Sequence, residues 1–306
     1  MSRTAFIFPG QGAQACGMGK DFYENTETGR RVFDRATELM GFSMPKLCFE
    51  KNDRLDITEY TQAAMVTTGI AMMKVLEEAG IVPDVTAGLS LGEYNALAAA
   101  GVMSADDAIV SVRQRGIFMQ EAVPAGIGAM AAVLALDAEV IERVLSTLKD
   151  VWIANYNCPG QIVISGKKEA VEEACIRLKE AGAKRTVFLN VSGPFHSKML
   201  EGAGEKLGAV LDTIEIHKPV IPYAANVTAE YVTEADIIKP LLMKQVSSSV
   251  RWQQSVETMI RDGVDTFIEI GPGKTLSGFI RKISREVKIL NVGTLEDMEK
   301  TVEALS

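Results

Sequence analysis

The reactive chemistry this 306-residue chain can offer is concentrated in one serine, one of two histidines and one arginine. Gly88-Leu89-Ser90-Leu91-Gly92 follows the apolar run Val85 to Leu89 and opens a helical stretch. That is the strand, turn and helix context of a G-x-S-x-G nucleophile elbow. A turn this sharp has no room for side chains at the two glycine positions. The helix beyond it aims backbone N–H groups and a positive dipole end at the serine oxygen. A serine nucleophile needs a base. His196, in Val191-Ser192-Gly193-Pro194-Phe195-His196-Ser197, lies downstream of Ser90, the chain order of α/β-hydrolase-like enzymes. His217 sits in an alternating segment before Pro219 and reads as structural.

Arg115 is the most informative charge. At ~100° per residue, Ala108, Val112, Arg115, Met119 and Ala122 share one helix face, and Asp107, Gln114 and Glu121 take the opposite one. Ser104 and Asp107 form an N-terminal cap for that helix. Arg115 therefore points at the core, while Arg113 sits toward the edge. A buried guanidinium needs a partner, because an uncompensated buried charge is costly. Two readings stay open on these residues alone: a structural ion pair, or a bidentate clamp for a substrate carboxylate.

Two glycine motifs do not qualify as nucleotide sites. Gly10-Gln11-Gly12-Ala13-Gln14-Ala15 follows a strand, but Gly17 and Gly19 interrupt the helix that a dinucleotide fingerprint requires. Gly273-Lys274-Thr275 has Ile268 where a phosphate loop requires glycine, and Pro272 stiffens it. Cys16, Cys48, Cys158 and Cys175 form no CxxC pair, so they read as reduced thiols rather than a zinc site or disulfide framework. No metal site is expected. A net charge of -8 argues against a nucleic-acid surface. The apolar run in MSRTAFIFPGQG is too short for a signal h-region or a membrane span, so a cytoplasmic protein with no membrane partner is expected. A monomer is the expected state, though nothing in these residues decides it.

The elements that must position these residues follow from rhythm. Hydrophobic residues make up 47% of the chain and charged residues 24%, enough to build a packed core. Apolar, β-branched runs alternate with longer helical stretches, as in a parallel α/β sheet. Strands are expected at Ala5 to Phe8, Val85 to Leu89, Val220 to Ala224, Thr266 to Ile270 and Lys288 to Val292. Helices are expected up to Gly41, over Ala63 to Ala79, and through Leu97 to Ala100 with Gly101 beyond its end. Between about Gly126 and Val191 the rhythm changes. It gives a strand at Met130 to Leu134, a helix at Ala138 to Leu148, two strands at Val151 to Tyr156 and Ile162 to Ser165, a helix at Glu169 to Ala181 and a strand at Lys184 to Leu189. That order, βαββαβ, is the pattern of a ferredoxin-like subdomain. The expected organisation is a large α/β domain over 1–125 and 192–306, carrying an insertion over 126–191.

Six blocks then carry a resemblance. Phe8-Pro9-Gly10-Gln11-Gly12, Gly88 to Glu93 and Val112-Arg113-Gln114-Arg115-Gly116 with Met119-Gln120 come first. Asn157-Cys158-Pro159-Gly160-Gln161, Gly193-Pro194-Phe195-His196 and Glu269 to Lys274 follow in order. Together they resemble the malonyl-CoA:acyl carrier protein transacylase family across nearly the whole chain. The family's architecture, an α/β-hydrolase-like core with a parallel sheet and an inserted ferredoxin-like subdomain, agrees with the organisation above.

The resemblance implies roles. Ser90 would take a malonyl group from coenzyme A, with His196 as base. The amides of Gln11 and Leu91 would form the oxyanion hole, and Arg115 would hold the malonyl carboxylate. The backbone carbonyl of Gln245, in Met243-Lys244-Gln245-Val246, would orient His196. Phe195 resembles the malonyl-selecting form of its motif, and its ring would disfavour a branched methylmalonyl group. Leu89 departs from the histidine common there, which leaves the packing under the elbow open. No resident cofactor is implied; coenzyme A thioester and carrier-protein phosphopantetheine would be substrates. Lys184, Arg185, Lys198, Arg281 and Lys282 are candidate contacts for an acidic acyl carrier protein. Competing readings are a free-standing acyltransferase of a polyketide synthase, a serine esterase or thioesterase, and a scaffold that binds acyl carriers.

Overall fold

The computed structural model describes residues 2–305. Among the described residues ten strands form two sheets: β1 (Thr4–Phe8), β2 (Val85–Gly88), β3 (Gly128–Leu134), β4 (Val151–Cys158), β5 (Gln161–Lys167), β6 (Arg185–Phe188), β7 (Tyr223–Ala224), β8 (Tyr231–Val232), β9 (Thr266–Ile270) and β10 (Lys288–Val292). The larger sheet has the order β10-β9-β1-β2-β7-β8, parallel throughout except for β8. Ala5, Phe6, Ile7 and Phe8 are all fully buried. A strand covered on both faces needs such a continuous apolar run. β1 pairs with β2 on one side and β9 on the other, so the loops that leave the carboxyl ends of β1 and β2 lie side by side at one edge of the sheet.

The smaller sheet has the order β4-β5-β3-β6, wholly antiparallel, and its elements run strand, helix, strand, strand, helix, strand. Period-two alternation divides β3 between two cores. Ala131 and Val133 pack with Val171 and Leu178 of the covering helix, while Met130 and Ala132 join the main core that includes Met119 and Phe195. β4 is tied to the segment before the helix Trp252–Arg261 by Tyr156 N–H to Val250 O (2.9 Å) and Val250 N–H to Ala154 O (2.8 Å).

Most expected elements appear, and the differences have local causes. The strand expected from Val220 begins only at Tyr223. Pro222 has no N–H, though its carbonyl still accepts from Thr86. The helix expected to reach Leu148 ends at Leu145, where the Ser146 and Thr147 hydroxyls donate to the carbonyls of Arg143 and Val144. The hairpin strands β4 and β5 run closer to the turn than expected, because two bulges in β4 break its alternation. Ser104 caps the helix Ala105–Ala122, accepting from Asp107 N–H at 3.0 Å. No helix among the described residues is long and apolar enough to cross a membrane.

Candidate active site

The elbow joins β2 to the helix Gly92–Ala99, and Ser90 sits at its tip with φ 56°, in the left-handed region. Both glycines are required by close approach. A Cβ on Gly88 would run into the backbone of Gly92, and one on Gly92 into the carbonyl of Phe8. Leu89 is partly buried and packs against the core under the elbow, its side chain lying where a Cβ on Gly10 would sit.

His196 is 4% exposed and also left-handed, with φ 57°. Its Nε2 lies 2.7 Å from Ser90 Oγ and its Nδ1 2.9 Å from the carbonyl of Gln245. A carbonyl only accepts, so Nδ1 carries the proton and Nε2 presents its lone pair to the serine hydroxyl. Burial, reinforced by the charge of Arg115, lowers the imidazole pKa to about 4, against the pull of backbone hydrogen bonds at Gln245 and Ser248. His217 is exposed, beside Glu215.

Arg115 is buried as its helix face predicts, and Arg113 lies at the edge, paired with Glu59 at 3.3 Å. Arg115 forms no structural ion pair among the described residues. Its Nη1 donates to Gln62 Oε1 (2.7 Å), and its Nη2 donates to Gln245 Oε1 (2.9 Å) and Ser90 Oγ (3.1 Å). Its Nε–H has no partner among the described residues. Burial lowers its pKa, opposed by Tyr94 and Glu93. A guanidinium supported by neutral oxygens retains its attraction for an anion.

Gln245 thus serves twice, its carbonyl on His196 and its side chain on Arg115. Its Nε2 also donates to Ser90 O (2.9 Å) and Glu93 Oε2 (2.7 Å). Glu93 is fully enclosed, and burial pushes its carboxyl up to about 7 despite hydrogen bonds from Gln245 and Asn226 and the charge of Arg115. Gln11 lies at the carboxyl end of β1, and Leu91 begins the helix after the elbow; neither backbone N–H has a hydrogen-bond partner among the described residues. Phe195 is buried beside His196.

The geometry therefore brings Ser90, His196, Gln245 and Arg115 into direct contact, with Leu91 and Phe195 next to Ser90 and His196 in the chain and Gly10, the residue before Gln11, against Leu89 of the elbow. Gln62, Glu93 and Asn226 belong to the same network and were not anticipated. Each left a faint signal, a polar side chain inside an apolar stretch: Gln62 before Ala63-Ala64, Glu93 within the elbow motif and Asn226 after Ala224-Ala225.

The rejected glycine motifs have physical explanations. Gly17 and Gly19 are both left-handed, with φ 94° and 75°, and among the described residues no helix starts before Lys20. At the helix Thr275–Ile283, Glu269 accepts from the N–H groups of Leu276 and Ser277, so a carboxylate already fills the place a phosphate would take. No cluster of three or more metal-ligating side chains occurs among the described residues.

Comparison with known proteins identifies the family. The acyl transferase domain model matches residues 5–302. The chain belongs to the acyl transferase domain family. It is 48% identical over 310 residues to the malonyl CoA-acyl carrier protein transacylase of Bacillus subtilis, covering 100% of this chain and 98% of that protein. The crystal structure of the Clostridium perfringens malonyl CoA-acyl carrier protein transacylase superposes with a TM-score of 0.96 at 45% identity, covering 99% and 97% of the two chains. A malonyl-transacylase in complex with its holo type II polyketide synthase acyl-carrier protein superposes with a TM-score of 0.96 at 37% identity, covering 99% and 100%. The mixed α/β fold, with one parallel and one separate antiparallel sheet, is that of this acyl transferase domain.

Proposed function

We propose that this protein transfers a malonyl group from coenzyme A to the phosphopantetheine thiol of an acyl carrier protein, through an ester on Ser90. One observation carries the reading: Ser90 Oγ lies between a base, His196 Nε2 at 2.7 Å, and a cation, Arg115 Nη2 at 3.1 Å. A general esterase needs the first contact and not the second.

In the acylation step, Ser90 Oγ adds to the thioester carbonyl and its proton passes to His196 Nε2. The carbonyl oxygen, now anionic, is held by the Gln11 and Leu91 amides; such a donor is worth ~10²–10³ in rate. Collapse breaks the C–S bond, and His196 returns the proton to the coenzyme A sulfur. Transfer reverses this order. The carrier thiol gives its proton to His196, sulfur attacks the ester, and the C–O bond to Ser90 breaks as Oγ regains a proton. Arg115 exchanges its contact with Ser90 Oγ for the malonyl carboxylate, which fixes the acyl chain relative to the nucleophile. A histidine oriented by a carbonyl keeps the imidazole tautomer fixed without placing an anion beside that carboxylate. No resident cofactor enters these steps.

We read 1–125 and 192–306 as an α/β-hydrolase-like catalytic domain and 126–191 as a ferredoxin-like insertion, which the strand order β4-β5-β3-β6 supports. A cytoplasmic monomer supplying fatty acid synthesis fits this role. Supply of a polyketide synthase is the second reading, favoured by the similarity to a transacylase in complex with a polyketide carrier protein. The chemistry is the same, and the carrier decides the pathway.

Intact mass after brief mixing with malonyl-CoA tests the proposal. A malonyl-sized adduct is expected on the wild type and not on Ser90→Ala, and it should discharge onto holo carrier protein. Free malonate appearing at the same rate with or without carrier would indicate a hydrolase instead.

A further inference from the structure

Asn226 follows β7, is 1% exposed, and hydrogen-bonds neither His196 nor Arg115. Its carboxamide spans the elbow: Oδ1 accepts from Ser90 N–H at 2.7 Å, and Nδ2 donates to Gly88 O at 2.6 Å. Those two groups flank Leu89. In a parallel ladder, the residue opposite Leu89 would donate to the carbonyl before it and accept from the N–H after it. The register of β2 and β7 pairs Thr86 with Tyr223 and Ala87 with Ala224, and two positions further on it sets Leu89 opposite Asn226. The side chain thus supplies the next rung of the sheet.

The backbone of Asn226 cannot supply that rung because it is engaged elsewhere. Its N–H donates to Glu93 Oε2 (3.2 Å), and its carbonyl accepts from Arg251 N–H (2.9 Å). Beyond Ala224 the chain turns away to meet Ala229 and Glu230. We propose that Asn226 is a positioning residue for acyl transfer, whose carboxamide extends the parallel ladder into the elbow and holds Ser90 in the left-handed conformation from which Oγ meets His196. It also ties up the Ser90 N–H, so the amides left for the oxyanion are those beyond and opposite the serine. Gln245 and Glu93 brace it, through Gln245 Nε2 to Asn226 Oδ1 (3.4 Å) and the Glu93 contact above.

This inference rests on Ser90 as the nucleophile, and the experiment separates the two. Single-turnover acylation by malonyl-CoA is followed by intact mass for wild type, Ser90→Ala, Asn226→Ala and Asn226→Asp, with the melting temperature of each. Folded Asn226→Ala is expected to acylate about 10²-fold more slowly, the scale of a misplaced reacting group, with KM for malonyl-CoA little changed. Its reaction with phenylmethylsulfonyl fluoride should fall in parallel, since that reagent carries no carboxylate for Arg115. Asn226→Asp keeps the acceptor for Ser90 and loses the donor for Gly88, so its rate should lie between. Hydrogen exchange at the Ser90 amide of wild-type protein reads the bond without any variant, and strong protection is expected. Wild-type acylation rates in folded Asn226→Ala, a loss no larger than its unfolded fraction, or a Ser90 amide that exchanges as freely as an exposed loop would each overturn the positioning role. An adduct absent from the wild type, or retained by Ser90→Ala, would instead remove the nucleophile reading.

Discussion

Arg115 and His196 share Ser90 Oγ as a neighbour, and each alters what the other can do. The arginine's charge helps hold the imidazole neutral down to a pKa of about 4 in the substrate-free protein. A malonyl carboxylate on Arg115 offsets that charge, which should make His196 a stronger base when the correct substrate is bound. The expected signature is an acid limb near pH 4 in kcat/KM, which reports free enzyme, and a higher apparent pKa in kcat, which reports the complex. The sign is fixed: a depressed histidine pKa keeps activity as pH falls below 6.5, and activity is lost only through the lower value. Identical limbs for both parameters would remove the electrostatic link. Arg115→Ala should reduce malonyl transfer by about 10²-fold or more, since two charge-assisted hydrogen bonds of ~1.5–3 kcal/mol each would be lost. Acetyl transfer should fall much less, and equal losses would count against the carboxylate clamp.

The elbow works as an element because three backbone segments meet there at distances that only glycine allows. Gly92→Ala would press its Cβ on the carbonyl of Phe8 in β1, a neighbour that cannot rotate away. Overpacking of this kind costs ~1–3 kcal/mol, read as a lowered midpoint in urea unfolding, with loss of acylation in the protein that remains folded. This element was largely legible in the sequence, because G-x-S-x-G after an apolar run encodes a local shape. Arg115 was legible as buried from the spacing of Val112 and Met119, although its partners were not. Gln62, Asn226 and Gln245 reach it or the elbow from distant parts of the chain, and side-chain amides carry no periodic signature. Gln245 was found only through the resemblance. Element ends differ from the pattern where single residues override it, as Pro222 does at the start of a strand and the hydroxyls of Ser146 and Thr147 do at the end of a helix.

At the scale of the molecule, the antiparallel sheet is continuous with the site. One face packs under its own helices and the other against the main core, and the chain leaving β6 runs directly into the loop that holds His196. A Cβ on Gly128, at the start of β3, would meet the ring of Pro194, two residues before the histidine. Gly128→Ala should therefore lower the acylation rate of Ser90 with little change in KM for malonyl-CoA, measured by single-turnover kinetics. Unchanged acylation would mean that the loop absorbs the displacement. The serine precedes this sheet in the chain and the imidazole follows it. A break at the Pro159-Gly160 turn would put Ser90 on one polypeptide and His196 on the other, joined by the β4–β5 ladder and by the Val250 bridge to β4. On the proposed mechanism neither piece alone could form the ester, so acyl transfer from two separately produced halves would act as a readout of their reassembly, a binary reporter already present in the order of the chain.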